Sequence, residues 1–524
     1  MDRKWWTLLA VCAGTFMLLL DVTIVVVALP EIQASLHAGF GDVEWVVDAY
    51  ALTLASLLLT TGVLADRYGR RLLFVTGLAV FTAGSLLCGL AQSTGMLIAS
   101  RSGQGAGGAV MFATSLALLG DSFRGNDRAV AFSIWGAVTG AAVSLGPVLG
   151  GAITSGISWR GIFLVNVPVG VAAIAATWWR VGESRAPHPG RPDWAGFALL
   201  AGGLLGVVYG LIRASETSWS DNGVRGCLAA GGVLIAAFAV AEWRVREPLF
   251  DLRLFRIPTF TGGLIAALAM NASLFAMFLY LVLYLQDILG YSALATGLRL
   301  LVSTSALLVA AAVAGRLSER LPARWLIGPG LLLTGAGLLL MRGVSGASPW
   351  THLIGGLVVA GFGAGLVNPP LASTAIGVVA PERAGMASGV NSTFRQIGFA
   401  ASIATLGSIF ASSLQRDLSR TLAPVRPLAA DTPRIVALIH QGSTSRAIAS
   451  APPAFRGLLA AAIRTSFAAG VNDLLLTTGI VALAGGIATL LLIRAADFIP
   501  QPAADGGTEP AGGADGEAVD AAAG

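Results

Sequence analysis

The chain has 524 residues, of which 55% are hydrophobic and 12% are charged, and its formal net charge is +5. Its mean hydropathy of +0.77 excludes an ordinary soluble globular protein of this length. Because the basic residues are almost all arginines in short loops, we attribute the positive charge to membrane topology and predict no nucleic-acid partner.

The apolar residues come in separate runs of about 20, each long enough to cross the hydrocarbon core of a bilayer. The runs are solidly apolar rather than alternating, which predicts helices and not a β-barrel. The first run lacks a small-residue cleavage site, so it is predicted to be a retained span. About fourteen spans are predicted, at about 5–29, 43–64, 72–91, 95–119, 128–153, 162–180, 194–213, 224–243, 260–286, 294–316, 325–342, 350–372, 384–410 and 468–494.

Arginines in the short loops set the predicted orientation. If the N-terminus is inside, most of these arginines lie in the inner loops, and the outer short loops contain four arginines. Those four are Arg160, Arg213, Arg225 and Arg342. The sequence therefore predicts a multi-pass protein of the cytoplasmic membrane with both termini cytoplasmic.

An internal repeat divides the chain. The stretch Gly62–Arg71 returns in altered form as Gly315–Arg324, and Asp127-Arg128-Ala129 returns as Glu382-Arg383-Ala384. Each pair follows equivalent spans, which predicts an all-α membrane protein of two six-helix halves. The predicted parts are 1–193 for the first half, 194–258 for two added linking helices, 259–496 for the second half with an outer loop at about 411–466, and 497–524 for a disordered cytoplasmic tail.

The fifth span has one nearly side-chain-free face. At about 100° per residue, Gly136, Gly140, Pro147 and Gly151 fall within about 60° of one another, and Gly146 and Gly150 flank them. Small residues let helix backbones approach closely, and Pro147 invites a bend. Such a face suits a helix that its neighbours slide past. A static, tightly packed interface is the alternative.

Three charged residues in the predicted spans of the first half are candidates for proton coupling. Asp21 is flanked by apolar residues, so proton uptake there is expected. Asp48 lies near the outer end of the second span. It is expected to be partly wet and to contact a proton or a substrate cation. Arg101 keeps its charge and needs a partner, for which Asp21 is a candidate. The alternative for Asp21 and Arg101 is a permanent structural ion pair.

At the inner end of the second span, Asp66 and Arg67 are followed by Gly69, Arg70 and Arg71. Asp66 is expected to pair with a helix N-terminus or with Arg124 or Arg128, and Gly69 to permit a tight turn. The alternative is a plain topology anchor.

A polar stripe marks span thirteen, where Ser388, Asn391, Arg395 and Ser402 share one face. With Asn368 of span twelve, they are predicted to line a substrate cavity. Spans ten and thirteen carry Arg299 and Arg395 and no acid. Tyr280 and Tyr284 are candidates for an aromatic wall, with plain packing as the alternative.

We find no metal-ligand spacing, no phosphate-binding loop and no nucleophile elbow. We therefore predict no metal, no cofactor and no enzymatic activity, and the proton gradient remains as the energy source.

Several stretches together resemble the fourteen-helix drug:proton antiporters of the major facilitator superfamily. They are Leu20–Pro30, Gly62–Arg71, Arg101–Gly108, Gly136–Gly151, Trp159–Gly170 and Arg395–Gly398. The resemblance implies the major facilitator fold, a role for Arg101 in proton coupling, and an inner gate latch formed around Gly62, Asp66 and Gly69.

The predicted function is proton-coupled export of amphiphilic drugs or antibiotics, which would confer resistance. The expected partners are a small-molecule amphiphilic substrate, protons and the lipid bilayer, and the chain is expected to work as a monomer. Export of an endogenous metabolite, siderophore or lipid is the alternative within this class. A membrane-embedded enzyme or a non-transporting membrane protein is the alternative from another class.

Overall fold

The computed structural model describes residues 2–123, 125–185, 193–217, 219–244, 251–318, 320–379, 384–429, 431–440 and 444–499. Within these ranges the regular structure is entirely helical. We number the long helices α1 Arg3–Leu36, α2 Phe40–Tyr68, α3 Arg70–Gly89, α4 Thr94–Ser122, α5 Gly125–Gly156, α6 Gly161–Arg180, α7 Trp194–Glu216, α8 Asn222–Arg244, α9 Pro258–Ile288, α10 Ala293–Leu317, α11 Arg324–Leu340, α12 Ile354–Gly377, α13 Ala384–Leu422 and α14 Arg456–Leu492.

Ten helical segments in the described ranges are long and apolar enough to cross a membrane, or eleven if the bent α5 is one span. The chain is therefore a multi-pass membrane protein. α2 and α4 have 29 residues each, and α11 has 17. The arrangement is compatible with the fourteen predicted spans.

In each half, glycines bring the equivalent pair of helices into very close contact. In the first half, a Cβ placed on Gly77 of α3 would lie 2.9 Å from the backbone nitrogen of Met111 on α4. In the second half, a Cβ on Gly330 of α11 would lie 2.8 Å from the carbonyl oxygen of Gly363 on α12. Glycine thus allows both pairs to pack backbone against backbone. The equivalent positions of these pairs agree with the repeat in the sequence.

Two seams join the halves. α5 packs against α10 along one seam, and α2 packs against α13 along the other. α7 packs over α2 and α13 together, while α8 packs mainly on α7. The two added helices therefore lie beside the second seam, outside the ring formed by the two halves.

The seams are closed at one end of the bundle. The end of the bundle at which α1 begins is called the N-terminal end. The opposite end is called the far end. Near the far end, the backbone N–H of Leu294 on α10 donates to Ser155 Oγ on α5 at 3.1 Å. A Cβ on Gly151 would lie 2.5 Å from the carbonyl oxygen of Ala293. On the same α5 face nearer the N-terminal end, a Cβ on Gly136 would meet nothing within 4 Å.

The second seam follows the same pattern. Near the far end, the Tyr280 hydroxyl of α9 lies 3.4 Å from Glu44 Oε1 on α2. Midway along the seam, Thr393 Oγ1 of α13 donates to the Ala55 carbonyl at 3.4 Å. Gly62 shares the α2 face of Glu44 and Ala55 at 3.6 residues per turn, and a Cβ there would meet nothing within 4 Å. The halves therefore meet at the far end and stand apart toward the N-terminal end.

The predicted bend in α5 is confirmed. The segments Ile134–Val143 and Leu145–Gly156 are inclined at 44°. Pro147 lacks the N–H that would bond to the Val143 carbonyl, which places the bend one turn before the proline.

The single face predicted on α5 separates into two surfaces. Gly151 and Pro147 face α10 in the other half. Gly146 and Gly150 face α1 in the same half, where a Cβ on Gly150 would lie 2.6 Å from the Ile24 carbonyl oxygen. A Cβ on Gly140 would contact only the end of the Leu308 side chain, at 3.3 Å. Only the α10-facing strip lies between the halves.

Two segments differ from their sequence-based predictions. α13 runs to Leu422 and α14 begins at Arg456, so both helices extend into the predicted loop. The buried residues Leu414, Leu418 and Leu422 recur every four positions and continue the helix beyond the apolar run. Short helices, Arg426–Ala429, Thr432–His440 and Thr444–Ser450, occupy the remainder.

α9 is a continuous helical span with two π-helical segments, Asn271–Phe275 and Tyr284–Ile288, where plain α-helix was expected. In the first of these, the Ala272 carbonyl accepts a 2.6 Å hydrogen bond from Ser402 Oγ of α13. A side-chain donor inserted at a helix carbonyl is a known cause of such local widening.

Some predicted features lie outside the described residues. These are Arg124, the repeat residues Glu319, Glu382 and Arg383, and the tail from residue 500 onward.

Gly151→Val tests whether the α5–α10 seam opens and closes. A valine side chain would collide with the Ala293 carbonyl only while the far end is closed. Overpacking costs about 1–3 kcal/mol, which corresponds to a shift of about 5- to 150-fold between two access states. The test uses a background that lacks the three native cysteines. There, we expect the Gly136→Cys reporter to react more slowly with a thiol reagent in the Gly151→Val variant than in the parent, at normal membrane levels.

Two control variants accompany this test. Thr139→Ala should leave labelling unchanged, because the Thr139 hydroxyl bonds only to its own helix, at the Trp135 carbonyl, among the described contacts. Gly146→Leu should lower the amount of folded protein, because that position abuts Thr23 within one half. Equal labelling in the Gly151→Val and parent proteins would reduce this seam to static packing.

Candidate functional site

A buried ion pair lies at the centre of the first half. Arg101 of α4 donates through Nη1 to Asp21 Oδ2 of α1, and the side chains are 1% and 0% exposed. The pairing of Asp21 with Arg101 expected from the sequence is therefore confirmed. Each charge compensates the other in a span where water is absent, since a lone charge there would be costly.

Neutral polar side chains complete the bonding of this pair. Gln104 Nε2 and Asn166 Nδ2 donate to Asp21 Oδ1 at 2.9 and 3.2 Å. Gln104 also donates to Ser85 Oγ at 2.6 Å and accepts from Arg101 Nη1 at 2.8 Å. α1, α3, α4 and α6 thus meet at one network.

α2 supplies the remaining contacts of the guanidinium. Arg101 Nε donates to the Val46 carbonyl at 3.0 Å, and the guanidinium carbon lies 4.3 Å from the centre of the Tyr50 ring. Gly105 makes this approach possible, because a Cβ there would overlap the Tyr50 carbonyl. The glycine one turn after Arg101 therefore brings α2 against α4 and positions the aromatic ring.

Asp48 differs sharply from Asp21. It is 0% exposed, and neither carboxylate oxygen has a hydrogen-bond partner among the described residues. The expectation that Asp48 would be partly wet is wrong, because α7 and α13 both pack against α2 and bury this face. An ionised carboxylate without bonding partners in such surroundings would be costly.

Glu44 lies one turn before Asp48 and extends this acidic face. It is 5% exposed and lies 3.4 Å from the Tyr280 hydroxyl, which itself donates to the Ile403 carbonyl at 3.0 Å. Gly407 of α13 packs directly against the Glu44 carboxylate. The two acids of α2 therefore lie at the seam between the halves, beside α9 and α13.

The two tyrosines proposed as an aromatic wall have different surroundings. Tyr280 faces the acidic face of α2. Tyr284 is 1% exposed and donates its hydroxyl to the Ser345 carbonyl at 2.8 Å, beyond the end of α11. The structure therefore brings only Tyr280 to the candidate site, while Tyr284 ties α9 to a loop at the far end.

A second polar group lies in the other half. Arg395 Nη2 of α13 donates to Asn368 Oδ1 of α12, so the structure brings together two of the predicted cavity residues. Asn391 lies one turn before Arg395, is 5% exposed, and its Nδ2 has no partner among the described residues.

The turn between α2 and α3 forms a candidate gate at the N-terminal end. Gly69 has φ +123°, which confirms the predicted tight turn and suits glycine alone. Glu183, after α6, accepts from the backbone N–H groups of Arg71 and Leu72 at 3.0 and 3.2 Å. It thereby caps the first turn of α3, where a negative charge is favourable.

The side chains of two arginines in this turn make the following contacts. Arg67 is exposed, and its guanidinium carbon lies 5.7 Å from the Tyr68 ring centre. Arg70 Nη1 lies 3.9 Å from Asp121 Oδ1. The predicted pairing of Asp66 with Arg124 or Arg128 falls outside what the structure describes.

Sequence reasoning missed the roles of Glu44 and Glu183. The spacing of Glu44 and Asp48 was an available signal, because residues four apart share a helix face. Gln104 and Asn166 were recognised only as motif residues, although polar side chains in apolar spans pointed to a buried partner. Among the described residues, no group of three or more His, Cys, Asp or Glu side chains could hold a metal ion.

Comparison with known proteins adds independent information. Residues 11–403 match the family described as the Major Facilitator Superfamily. The chain is 33% identical over 519 residues to the tetracenomycin C resistance and export protein of Streptomyces glaucescens, covering 96% of both chains. It is 36% identical over 419 residues to the multidrug resistance protein Stp of Mycobacterium tuberculosis, covering 80% of this chain and 77% of that protein.

A solved structure shows the same fold. It is a bacterial homolog of the human lysosomal transporter Spinster in an inward-facing, occupied conformation. The TM-score is 0.65 at 16% identity, and the match covers 96% of this chain and 100% of that one.

Asp21→Asn tests the energetic role of the central pair. The substitution leaves the Arg101 guanidinium buried without its counter-charge, which costs about 3–5 kcal/mol. We expect a clear fall in the thermal unfolding midpoint of the purified protein. The double variant Asp21→Asn with Arg101→Gln should regain part of that loss, because both charges are then removed. Single-variant midpoints equal to wild type would mean that the pair contributes no net stability.

Gly69→Val tests the gate turn. A valine would be strained at φ +123° and would contact the Glu183 carboxylate, where a Cβ lies 2.7 Å away. The strain costs about 1–3 kcal/mol. We expect slower transport with little change in substrate binding to the purified protein. Gly182→Ala is the matched control, because a Cβ there meets nothing within 4 Å. Loss of binding in a folded Gly69→Val protein would contradict a gating role.

Proposed function

Because the chain belongs to the major facilitator superfamily, a family of transporters and not of enzymes, we propose that it exports amphiphilic drugs or antibiotics across the cytoplasmic membrane in exchange for protons. Two relatives named for resistance or export, one of them matched over 96% of both chains, support export as the direction. Antibiotic resistance is the expected consequence in the cell.

The buried, unbonded carboxylate of Asp48 carries the proton-coupling part of the proposal. In the conformation observed, no described donor stabilises its charge, so the proton is held. An opening that admits water or a cationic donor would stabilise the ionised form and release the proton. Glu44 lies on the same face, so the site has more than one acidic group near the seam.

The central pair supplies the second part of the mechanism. Asp21 and Arg101 lie on α1 and α4, and Tyr50 of α2 stacks on the guanidinium only two residues after Asp48. Asp48 and Tyr50 lie on opposite sides of α2, about 160° apart around the helix axis. We infer that a shift of α2 that follows a change of protonation at Asp48 also moves the surface that contacts Arg101, and so couples proton binding to the packing of α2 on α4.

Arginine-rich loops at the N-terminal end support a cytoplasmic position for that end and for both termini. With this orientation the far end is external. The closed far seams and the open space at Gly62 and Gly136 then correspond to an inward-facing state. Alternating access would close the N-terminal end, with the Gly69 turn as part of that gate. Because one chain supplies both halves, both seams and the acidic face, we propose a functional monomer.

Drug-susceptibility profiling in an efflux-deficient host tests this function. Cells that express the chain should resist several amphiphilic antibiotics, and a protonophore should abolish the drug efflux measured in the same cells. Asp48→Asn should remove the uncoupler-sensitive efflux while leaving membrane levels unchanged, because no hydrogen bond of the described residues is lost.

Glu31→Gln is the matched control, because Glu31 is an exposed acid on α1. It should keep wild-type efflux. Efflux by the wild type that persists with the gradient collapsed would refute proton coupling, and wild-type efflux by Asp48→Asn would remove that residue from the mechanism.

A further inference from the structure

Arg395 is a half-buried charge with no counter-charge among the residues that the structure describes. No ion pair found among the described residues includes it, and its one bond there is the donation from Nη2 to the neutral Asn368. Its Nε is buried without a partner. Arginine cannot escape this cost by losing its proton. Arg101 in the first half is fully compensated by comparison, so the two halves treat their arginines differently.

Asn391 provides a second donor in the same place. It lies four residues before Arg395, on the same face of α13. It is 5% exposed, and its Nδ2 is buried without a partner among the described residues. Buried donors are nearly always bonded in proteins, so two such donors one turn apart indicate a missing acceptor.

We propose that Arg395 and Asn391 form a subsite for a carboxylate group carried by the exported amphiphilic molecule. The guanidinium offers several N–H donors in a planar fork, which matches the two oxygens of a carboxylate. Asn368 accepts from one end of that fork and so orients it. This inference rests on the proposed export function and specifies the chemical class of its substrate.

The position of the subsite agrees with entry from the open end. Thr393, two residues from Arg395, bonds to Ala55 on α2. Ala55 lies about 10 Å closer to the N-terminal end than Asp48 along that helix. The Arg395 side chain is only half-buried, so a ligand can reach it. The cationic subsite therefore lies nearer the open N-terminal end of the bundle than the acidic face does.

The test uses two probes that share one apolar body. 1-Pyrenebutyrate carries a carboxylate, and 1-pyrenebutanol is neutral. Binding to the purified full-length chain in lipid nanodiscs is measured by energy transfer from tryptophan to pyrene, with empty nanodiscs subtracted. Without a proton gradient, this measurement is independent of coupling. We expect the wild type to bind the carboxylate about tenfold more tightly than the alcohol, as one charge-assisted bond would provide.

Arg395→Gln should remove this preference while keeping the affinity for 1-pyrenebutanol, which shows that the variant is folded. Asn391→Ala should weaken the preference less. Arg299→Gln is the matched control within a span. Arg299 lies 3.6 Å from the Tyr291 ring centre and donates to the Ala295 carbonyl at 2.8 Å, so its loss should leave the preference unchanged.

Equal binding of the two probes by the wild type, or binding of neither, would overturn the carboxylate subsite. A preference that persists in Arg395→Gln would overturn the role of that residue. A third overturning result is an equal loss of both probes in a folded Arg395→Gln protein, which would indicate a structural role. None of these results bears on the export function, which is tested separately by uncoupler-sensitive drug efflux.

Discussion

The cost of an uncompensated charge within a membrane span governs the arrangement of this protein. Arg101 and Asp21 satisfy it by pairing with each other and by taking further bonds from neutral side chains on neighbouring helices. Asp48 is buried without a partner for its carboxylate, and we propose that it satisfies the constraint by holding a proton. Arg395 is satisfied by neither means within the described chain. Under these proposals the first pair serves structure and coupling, Asp48 carries the proton, and Arg395 recognises the ligand.

Glycine determines where the helices can approach one another and where they remain apart. Within each half, glycines bring α3 against α4 and α11 against α12, with backbone contacts that leave no room for a side chain. Between the halves, Gly151 performs the same function at the far end. Gly62 and Gly136 continue the same helix faces into open space. Close packing within halves and discontinuous contact between them is the condition for two rigid bodies to rock about a central site.

The candidate site was only partly accessible to sequence reasoning. The ion pair of Asp21 and Arg101 could be anticipated, because two opposite charges in apolar spans have few other partners. Asp48 was assigned a wetter position than it has, because its burial depends on α7, one of the two added helices, and on α13. Glu183 could not be recognised, since it caps α3 from a loop more than a hundred residues along the chain. Contacts of that kind are set by the packing of α6 on α3.

The sequence by itself determined the class of the protein, its multi-pass helical character, the repeat, and the turn at Gly69. These features follow from local periodicity, from the length that a bilayer imposes, and from a backbone conformation that glycine alone tolerates. Tertiary structure decided which faces of α5 meet α1 and which meet α10. It also decided that one carboxylate of the first half is fully bonded and another is not, and that the seams close at one end. Those properties depend on distances between helices remote in sequence, and no local pattern encodes them.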